Sequence, residues 1–312
     1  MNVFTLSIFS FLLTKVLIII SLPFLRKYFP DKPNKRSSHN LNTPRSGGII
    51  ILIVSILISI LQKNYLMLIC LPLSLVNICD DRLSIKWKYK LAIQIITILV
   101  LFINISPTHL LFNTTKISGL IAVSTIVFLS IAILNFINFM DGIDGLVAGC
   151  MFVILITASY LFMPSMLPIS FSIFAFLIFN WSPAKLFMGD VGSIFIGFVF
   201  IYMIYKSETL DNSVALILIA SPLFLDAVIC LWRRLITGQN IFKPHNLHLY
   251  QRLQQSGLSH SSVSTIYISA TASLAMSYLF FSYLGLLMIF SLVLVIGFYL
   301  EKRIANKFRR NT

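Results

Sequence analysis

The chain has 312 residues, 58% of them hydrophobic and 11% charged, with 24 Lys and Arg against 10 Asp and Glu and a formal charge of +14. A soluble domain carries roughly a quarter charged residues, so this composition excludes a soluble globular protein and assigns the chain to the bilayer. The four cysteines, Cys70, Cys79, Cys150 and Cys230, form no C-x-x-C pair and read as small apolar residues within the membrane.

A spanning helix needs roughly 20 apolar residues. Spans are expected near 2–24, 47–61, 65–79, 91–106, 117–139, 143–163, 167–181, 192–205, 214–231, 262–283 and 285–300. They use up most of the chain. The expectation is therefore an all-α polytopic membrane helix bundle of about 11 transmembrane helices, with 1–312 as one integral-membrane domain. The first span lacks a preceding basic residue and a following A-x-A site, so it does not read as a signal peptide. Lys15 lies near its middle and should face the bundle or snorkel.

Charge sets the expected orientation. With the N-terminus outside, in the periplasm, the loops at 25–46, 80–90, 182–190 and 232–253 and the C-terminal tail face the cytoplasm and hold 20 of the 24 Lys and Arg. Lys63, Lys116 and Lys206 are left outside. The surplus charge also suits anionic substrates and lipid headgroups, although membrane orientation alone accounts for most of it.

In chain order, DKPNKRSSHNLNTPRSGG at 31–48 reads as a loop, with Arg36, His39 and Arg45 as donors to an anion. Asp80-Asp81-Arg82 follows a span directly. Adjacent carboxylates repel, so a cation between them is expected, either Mg²⁺ or a lysine. Lys90 and Gln94 sit one turn apart at the entry to the next helix.

The central stretch is NFINFMDGIDGLVAG at 135–149. Asn135, Asn138 and Asp141 recur every third residue, which places them on neighbouring turns at the end of an apolar helix. Asp141 and Asp144 are each followed by glycine. Carboxylates beside glycines suit a site where a metal and a phosphate approach the backbone closely. A polar helix end with glycines for packing is the alternative. FMGDVGS at 187–193 adds Asp190 between glycines at a helix start, with Phe187 before it. Asp226 is a carboxylate within a span, and so a candidate for function or structural pairing. KPHNLHLYQRL at 243–253 then gathers His245, His248, Tyr250 and Arg252. The two histidines could ligate a metal, but donation to phosphate fits better, because carboxylates already suit Mg²⁺ and imidazole does not.

Together these segments resemble the polyprenyl-phosphate N-acetylhexosamine-1-phosphate transferase family, of the glycosyltransferase family 4 type. The match runs in order through 31–48, Asp80 to Gln94, 135–149, 187–193, PLFLDAVICLWRRL at 222–235, and 245–253. The resemblance implies a Mg²⁺-dependent enzyme (Mn²⁺ being the substitute) of the bacterial inner membrane, whose active site is built from the loops 25–46, 80–90, 138–145, 182–193 and 232–253. Its partners would be a UDP-sugar, undecaprenyl phosphate and membrane lipids, with no nucleic acid and with a homodimer left open. Asp80, Asp81 and Asp141 take catalytic positions, Asp190 with Asp141 the metal site, and Lys90 the diphosphate. Asn138 is an active-site residue, Asp144 and Phe187 face the uracil, and His245, His248 and Arg252 fall in the histidine motif that meets the substrate. The form H-x-x-H-x-Y-Q-R-L is similar to the subgroup that starts O-antigen-type glycans, which implies GlcNAc or a 6-deoxy-N-acetylhexosamine as the sugar.

Chemically, a phosphate monoester is largely dianionic at pH 7 and needs relief from repulsion more than a base. Direct attack on the donor is favoured, with an aspartyl-phosphate on Asp80, Asp81 or Asp141 as the other route. Two other classes fit less well. A transporter would set its carboxylates along the midplane, whereas all the acidic motif residues but Asp226 lie in cytoplasmic loops or at span ends. A CDP-alcohol phosphotransferase would share D-G-x-D-G, but needs further Gly and Asp that CMFVILITASYLF lacks.

Overall fold

The computed structural model describes residues 2–31, 43–83, 85–111, 116–241, 243 and 245–308; the side chains of residues 30, 31, 81, 82, 116 and 117 lie outside that description. Arg36, His39 and the side chain of Asp81 are therefore outside the described residues.

Helices α1 (Val3–Tyr28), α2 (Gly48–Leu61), α3 (Leu71–Leu83), α4 (Trp87–Ile105), α5 (Lys116–Met140), α6 (Leu146–Leu161), α7 (Leu167–Asn180), α8 (Gly189–Lys206), α9 (Leu210–Ile219), α10 (Ser221–Ile236), α11 (Leu249–Gln255) and α12 (His260–Arg303) make up nearly the whole fold. Strands β1 (Pro30–Asp31) and β2 (Thr43–Pro44) form a two-residue antiparallel ladder.

Every expected span falls on helix, but not every helix is a full span. Among the described residues five helices are long and apolar enough to cross a membrane, or six if the bent pair α9–α10 counts as one. The expected span 214–231 is broken by that 71° bend, just ahead of Pro222. Its ring removes a backbone donor and crowds the preceding turn. The expected span 65–79 begins as a 3₁₀ segment, Tyr65–Cys70. The 80–90 and 232–253 loops are shorter than expected, because α4 begins at Trp87, α10 continues to Ile236 and α11 begins at Leu249.

Helix α8 is the axis of the bundle. All its residues from Val191 to Tyr205 are buried, as an all-round apolar helix requires. Helix α5 packs on it closely. A Cβ on Gly197 would stand 3.1 Å from Leu134 Cδ2 and 3.2 Å from its Cα. Ser130 Oγ and Tyr205 OH are hydrogen-bonded at 2.7 Å between the same helices. Small residues and buried hydroxyls are what join helices where lipid gives no hydrophobic drive.

α12 folds back on itself at Ser282, whose φ of 56° lies in the left-handed region. Its first half starts at the end holding Asp144, where Ser264 Oγ donates to the Asp144 carbonyl at 2.6 Å. Beside the turn, Tyr283 OH donates to the Asp211 carbonyl at the opposite end. The second half returns Glu301 to Arg233 and Arg252. The two spans expected over 262–283 and 285–300 are thus the arms of one hairpin.

Candidate active site

One end of the bundle gathers the chemistry. The short chain after α1 and the loop before α8 run side by side. Phe187 N–H donates to Pro44 O (2.8 Å), Gly47 N–H to Phe187 O (2.9 Å) and Gly48 N–H to Met188 O (2.9 Å). Helices α2 and α8 then cross glycine on glycine. Gly189, with φ of 72°, makes the turn that delivers Asp190 to the start of α8.

Asp80 and Lys90 form the first half of the site. Asp80 accepts the Ile85 N–H at 2.7 Å and the Lys90 ammonium at 2.6 Å, so the carboxylate folds the α3–α4 junction around the cation. Lys90 Nζ also stands 3.7 Å from Asp190 Oδ2. One turn on, Gln94 faces α5. Asn135 Nδ2 donates to Gln94 Oε1 at 3.0 Å, and Gln94 Nε2 returns a longer bond of 3.4 Å. Asn135, first in the central stretch, is thus a strut between α4 and α5.

The second half is the end of α5. Asn138 Oδ1 accepts the Ser193 hydroxyl at 2.6 Å, which ties it to α8. Asp141 follows in the turn after the helix. Burial pushes its carboxyl up, and the charge of Asp190 raises it further, to about 7. Asp190 itself keeps 46% of its side chain exposed. A half-buried carboxyl opposed by a second carboxylate is a place where a hard divalent cation fits, since oxygen ligands and excess negative charge are what such an ion takes. Asp141 and Asp190 are the residues that would hold it.

Asp144 lies apart from this pair. It is 7% exposed, and both its oxygens are engaged: Ala184 N–H donates to Oδ2 at 3.1 Å, and His260 Nδ1 stands 3.3 Å from Oδ1. Burial opposes its charge, but His260, the Ala184 N–H and Ser182 together hold the carboxyl below its usual range. Asp144 therefore fastens the 182–187 loop, which carries the half-buried Phe187, to the start of α12. Asn180 does parallel work. Gly145 N–H donates to its Oδ1 and its Nδ2 donates to Leu186 O, both at 3.0 Å. Sequence reasoning passed over Asn180 and His260. The only signal for Asn180 was a lone amide closing an apolar run ahead of Trp181-Ser182-Pro183.

The 245–253 segment packs beneath the central turn. Tyr250 OH donates to Phe139 O at 3.0 Å, and a Cβ on Gly142 would stand 2.0 Å from that hydroxyl oxygen. The intramembrane carboxylate Asp226 holds the segment. It accepts Leu249 N–H (2.6 Å), Tyr250 N–H (3.0 Å) and Tyr267 OH (2.7 Å). His248, 2% exposed, stands with Nδ1 3.6 Å from Asp226 Oδ1. Burial disfavours its cation, yet the Asp226 carboxylate raises it to about 9, whereas burial and the neighbouring His248 and Arg234 push His245 down to about 3. Arg252, 3% exposed, donates to Leu247 O at 3.1 Å and to Asn306 O at 2.9 Å, and pairs with Glu301. The side chains of His248 and Arg252 are thus turned into the protein.

A cavity of about 860 Å³ lies elsewhere, between α10 and the two arms of α12. Its walls include Leu225, Ile229, Ile266 and Val293, and none of Asp80, Lys90, Asn138, Asp141 or Asp190 lines it.

Residues 63–208 match the family described as glycosyl transferase family 4. The chain is 30% identical over 288 residues to a Bacillus subtilis protein described as a probable undecaprenyl-phosphate N-acetylglucosaminyl 1-phosphate transferase, covering 83% of this chain and 80% of that one. It is 28% identical over 252 residues to an undecaprenyl-phosphate alpha-N-acetylglucosaminyl 1-phosphate transferase of Thermotoga maritima, covering 79% and 80%. A phospho-N-acetylmuramoyl-pentapeptide-transferase of Staphylococcus carnosus is 26% identical over 310 residues, covering 85% and 94%.

Proposed function

This chain belongs to the polyprenyl-phosphate N-acetylhexosamine-1-phosphate transferases of glycosyl transferase family 4, and from that premise we propose that it moves an N-acetylhexosamine-1-phosphate from a UDP-sugar to undecaprenyl phosphate and releases UMP. Membership leaves the transporter and CDP-alcohol alternatives without support. The sugar in this reading is GlcNAc or a 6-deoxy-N-acetylhexosamine, and the product starts a lipid-linked cell-surface glycan of the O-antigen kind. The site end of the bundle faces the cytoplasm across the bacterial inner membrane, because the described basic residues Arg45, Lys90, Arg233 and Arg252 belong to that end.

In the reaction, an oxygen of the lipid phosphate bonds to the β-phosphorus of the donor. The bond from that phosphorus to the bridging oxygen breaks, and its electron pair leaves on UMP. Both partners are anions, so the barrier is dominated by their repulsion and by alignment. The observation that carries the reading is Lys90, gripped by Asp80 at 2.6 Å and 3.7 Å from Asp190. Asp80 fixes the direction of the cation, and the ammonium meets the diphosphate. Asp141 and Asp190 would hold Mg²⁺, or Mn²⁺ in its place, which when bound supplies positive charge to the diphosphate oxygens.

Asn138, fixed by Ser193, stands in the last turn of α5, just ahead of Asp141. Asp144 serves the nucleotide end by setting the loop that bears Phe187. His248 and Arg252 act through the shape of their loop, since both are buried, and His245, half-buried, is carried by the same loop. Asp81 belongs with Asp80 at the acceptor phosphate.

The test is UMP release by the purified protein with undecaprenyl phosphate, Mg²⁺ and a panel of UDP-N-acetylhexosamines. Release with one donor above the rest is expected. No lipid-dependent release with any donor overturns the reading. Exchange of labelled UMP into the donor without lipid would replace direct attack by a covalent aspartyl-phosphate.

A further inference from the structure

The sequence marks Cys230 as one more small apolar residue of a membrane helix, but the fold sets it beside two histidines. Cys230 Sγ and one ring nitrogen each of His245 and His248 lie within 4.8 Å of one another. Cys230 is 3% exposed and His248 2%. The rings of the two histidines are 4.9 Å apart between centroids. His248 Nδ1 is a buried nitrogen without a hydrogen bond. The Asp226 carboxylate, one helical turn before Cys230 on α10, stands 3.6 Å from it. Imidazoles that bind a metal commonly have such a carboxylate on the other ring nitrogen, which orients the ring.

We propose that Cys230, His245 and His248 form a Zn²⁺ site that ties the 245–253 segment to α10. One thiolate and two imidazoles are a borderline-soft donor set, which selects Zn²⁺ and is wrong for Mg²⁺. The site is thus chemically separate from the all-oxygen pair Asp141 and Asp190. Cys230 also lines the cavity of about 860 Å³ between α10 and α12, so the fourth position of a tetrahedral ion has room for a water. Binding converts the Cys230 thiol to thiolate and the His248 imidazolium to neutral imidazole, and releases both protons to solvent. The ion does not act on substrate. It holds in place the loop whose Tyr250 supports the central turn, and the proposal stands whether or not the donor sugar has been correctly assigned.

The test uses the full-length protein in detergent, purified on a tag without histidines and washed with chelator. Cys79, the exposed cysteine, is replaced by Ser throughout so that a surface thiolate cannot imitate the site. Co²⁺ serves as the spectroscopic probe and Zn²⁺ as the competitor. One Co²⁺ per chain is expected, with an intense near-ultraviolet thiolate-to-metal band that Zn²⁺ abolishes. Cys230→Ser should lose the band and raise the dissociation constant at least 10-fold. His245→Gln, at a half-buried position that tolerates the change, should keep the band and also weaken binding about 10-fold. Zn²⁺ should raise the Tm of the parent and leave that of Cys230→Ser unchanged. Absence of stoichiometric Co²⁺ or Zn²⁺ overturns the proposal, as does a thiolate band that survives in Cys230→Ser.

Discussion

Gly48 and Gly192 meet with no space between their backbones: a Cβ on Gly48 would lie 2.1 Å from Gly192 Cα and 2.4 Å from Gly192 N. The contact crosses α2 over α8 immediately beside the strand-like pairing of 44–48 with 187–188. It therefore sets the height at which Asp190 is presented.

Gly48→Ala is expected to be severe, because the obstacle is backbone rather than a side chain that can swing away. Overpacking costs about 1–3 kcal/mol where side chains can adjust, and here the upper end or more applies. The Tm should fall by several degrees, and UMP release should drop more than the loss of folded protein explains. A variant with parental Tm and activity would show that the two helices separate freely.

Lys90→Gln removes the cation while keeping a polar side chain of nearly the same reach. The prediction is a fall of about 10²–10³ in kcat, the range for losing one preorganised electrostatic group, with little change in Tm. Retention of more than about a tenth of the rate, a barrier change under about 1.4 kcal/mol, would remove Lys90 from the reaction.

Asp190→Asn keeps the volume and removes the charge that raises Asp141. Transfer should be abolished and the fold kept. Chelator should silence the parental enzyme, and Mg²⁺ or Mn²⁺ should restore it. Activity in excess chelator would reassign the carboxylate pair.

Asn180→Ala tests a residue whose work is entirely internal. It leaves the Gly145 N–H and the Leu186 carbonyl without their buried partner, at a cost of about 1–3 kcal/mol for each group left unpaired. The Tm should drop and KM for the nucleotide sugar should rise, because the loop bearing Phe187 is released. An unchanged KM with a lowered Tm would separate Asn180 from the nucleotide end.

Orientation is checked by labelling. In a Cys79→Ser background, a cysteine at the exposed Ser256 should react only when reagent reaches the cytoplasm, and one at the exposed Glu208 should react from outside. Ser207, the neighbouring position, is 4% exposed and bonded to Ser213, so it is a poor reporter. Labelling of both positions from one side would overturn the assignment of the two ends.

Much of the site was legible as residue types. Asp80, Lys90, Asn138, Asp141 and Asp190 all reach one end of the bundle. Their division of labour was not legible. Asp144 and Asp226 stand out in the sequence as strongly as Asp141 does, yet the fold engages both oxygens of each internally. His248 and Arg252 look like free donors in a polar loop and are buried. Cys230 carries no sequence signal at all, because a lone cysteine in an apolar helix is indistinguishable from packing.

Class and element layout were determined by the sequence alone. Low charge and long apolar runs act between neighbours in the chain, so helical stretches can be placed before any contact is known. Only the tertiary structure decided that Asp141 opposes Asp190, that α9 and α10 meet at a sharp bend, and that α12 doubles back at Ser282. Those outcomes depend on which helix faces which. That is settled by where glycines allow backbones to touch and where buried amides and carboxylates find donors, which are properties of pairs distant in the sequence.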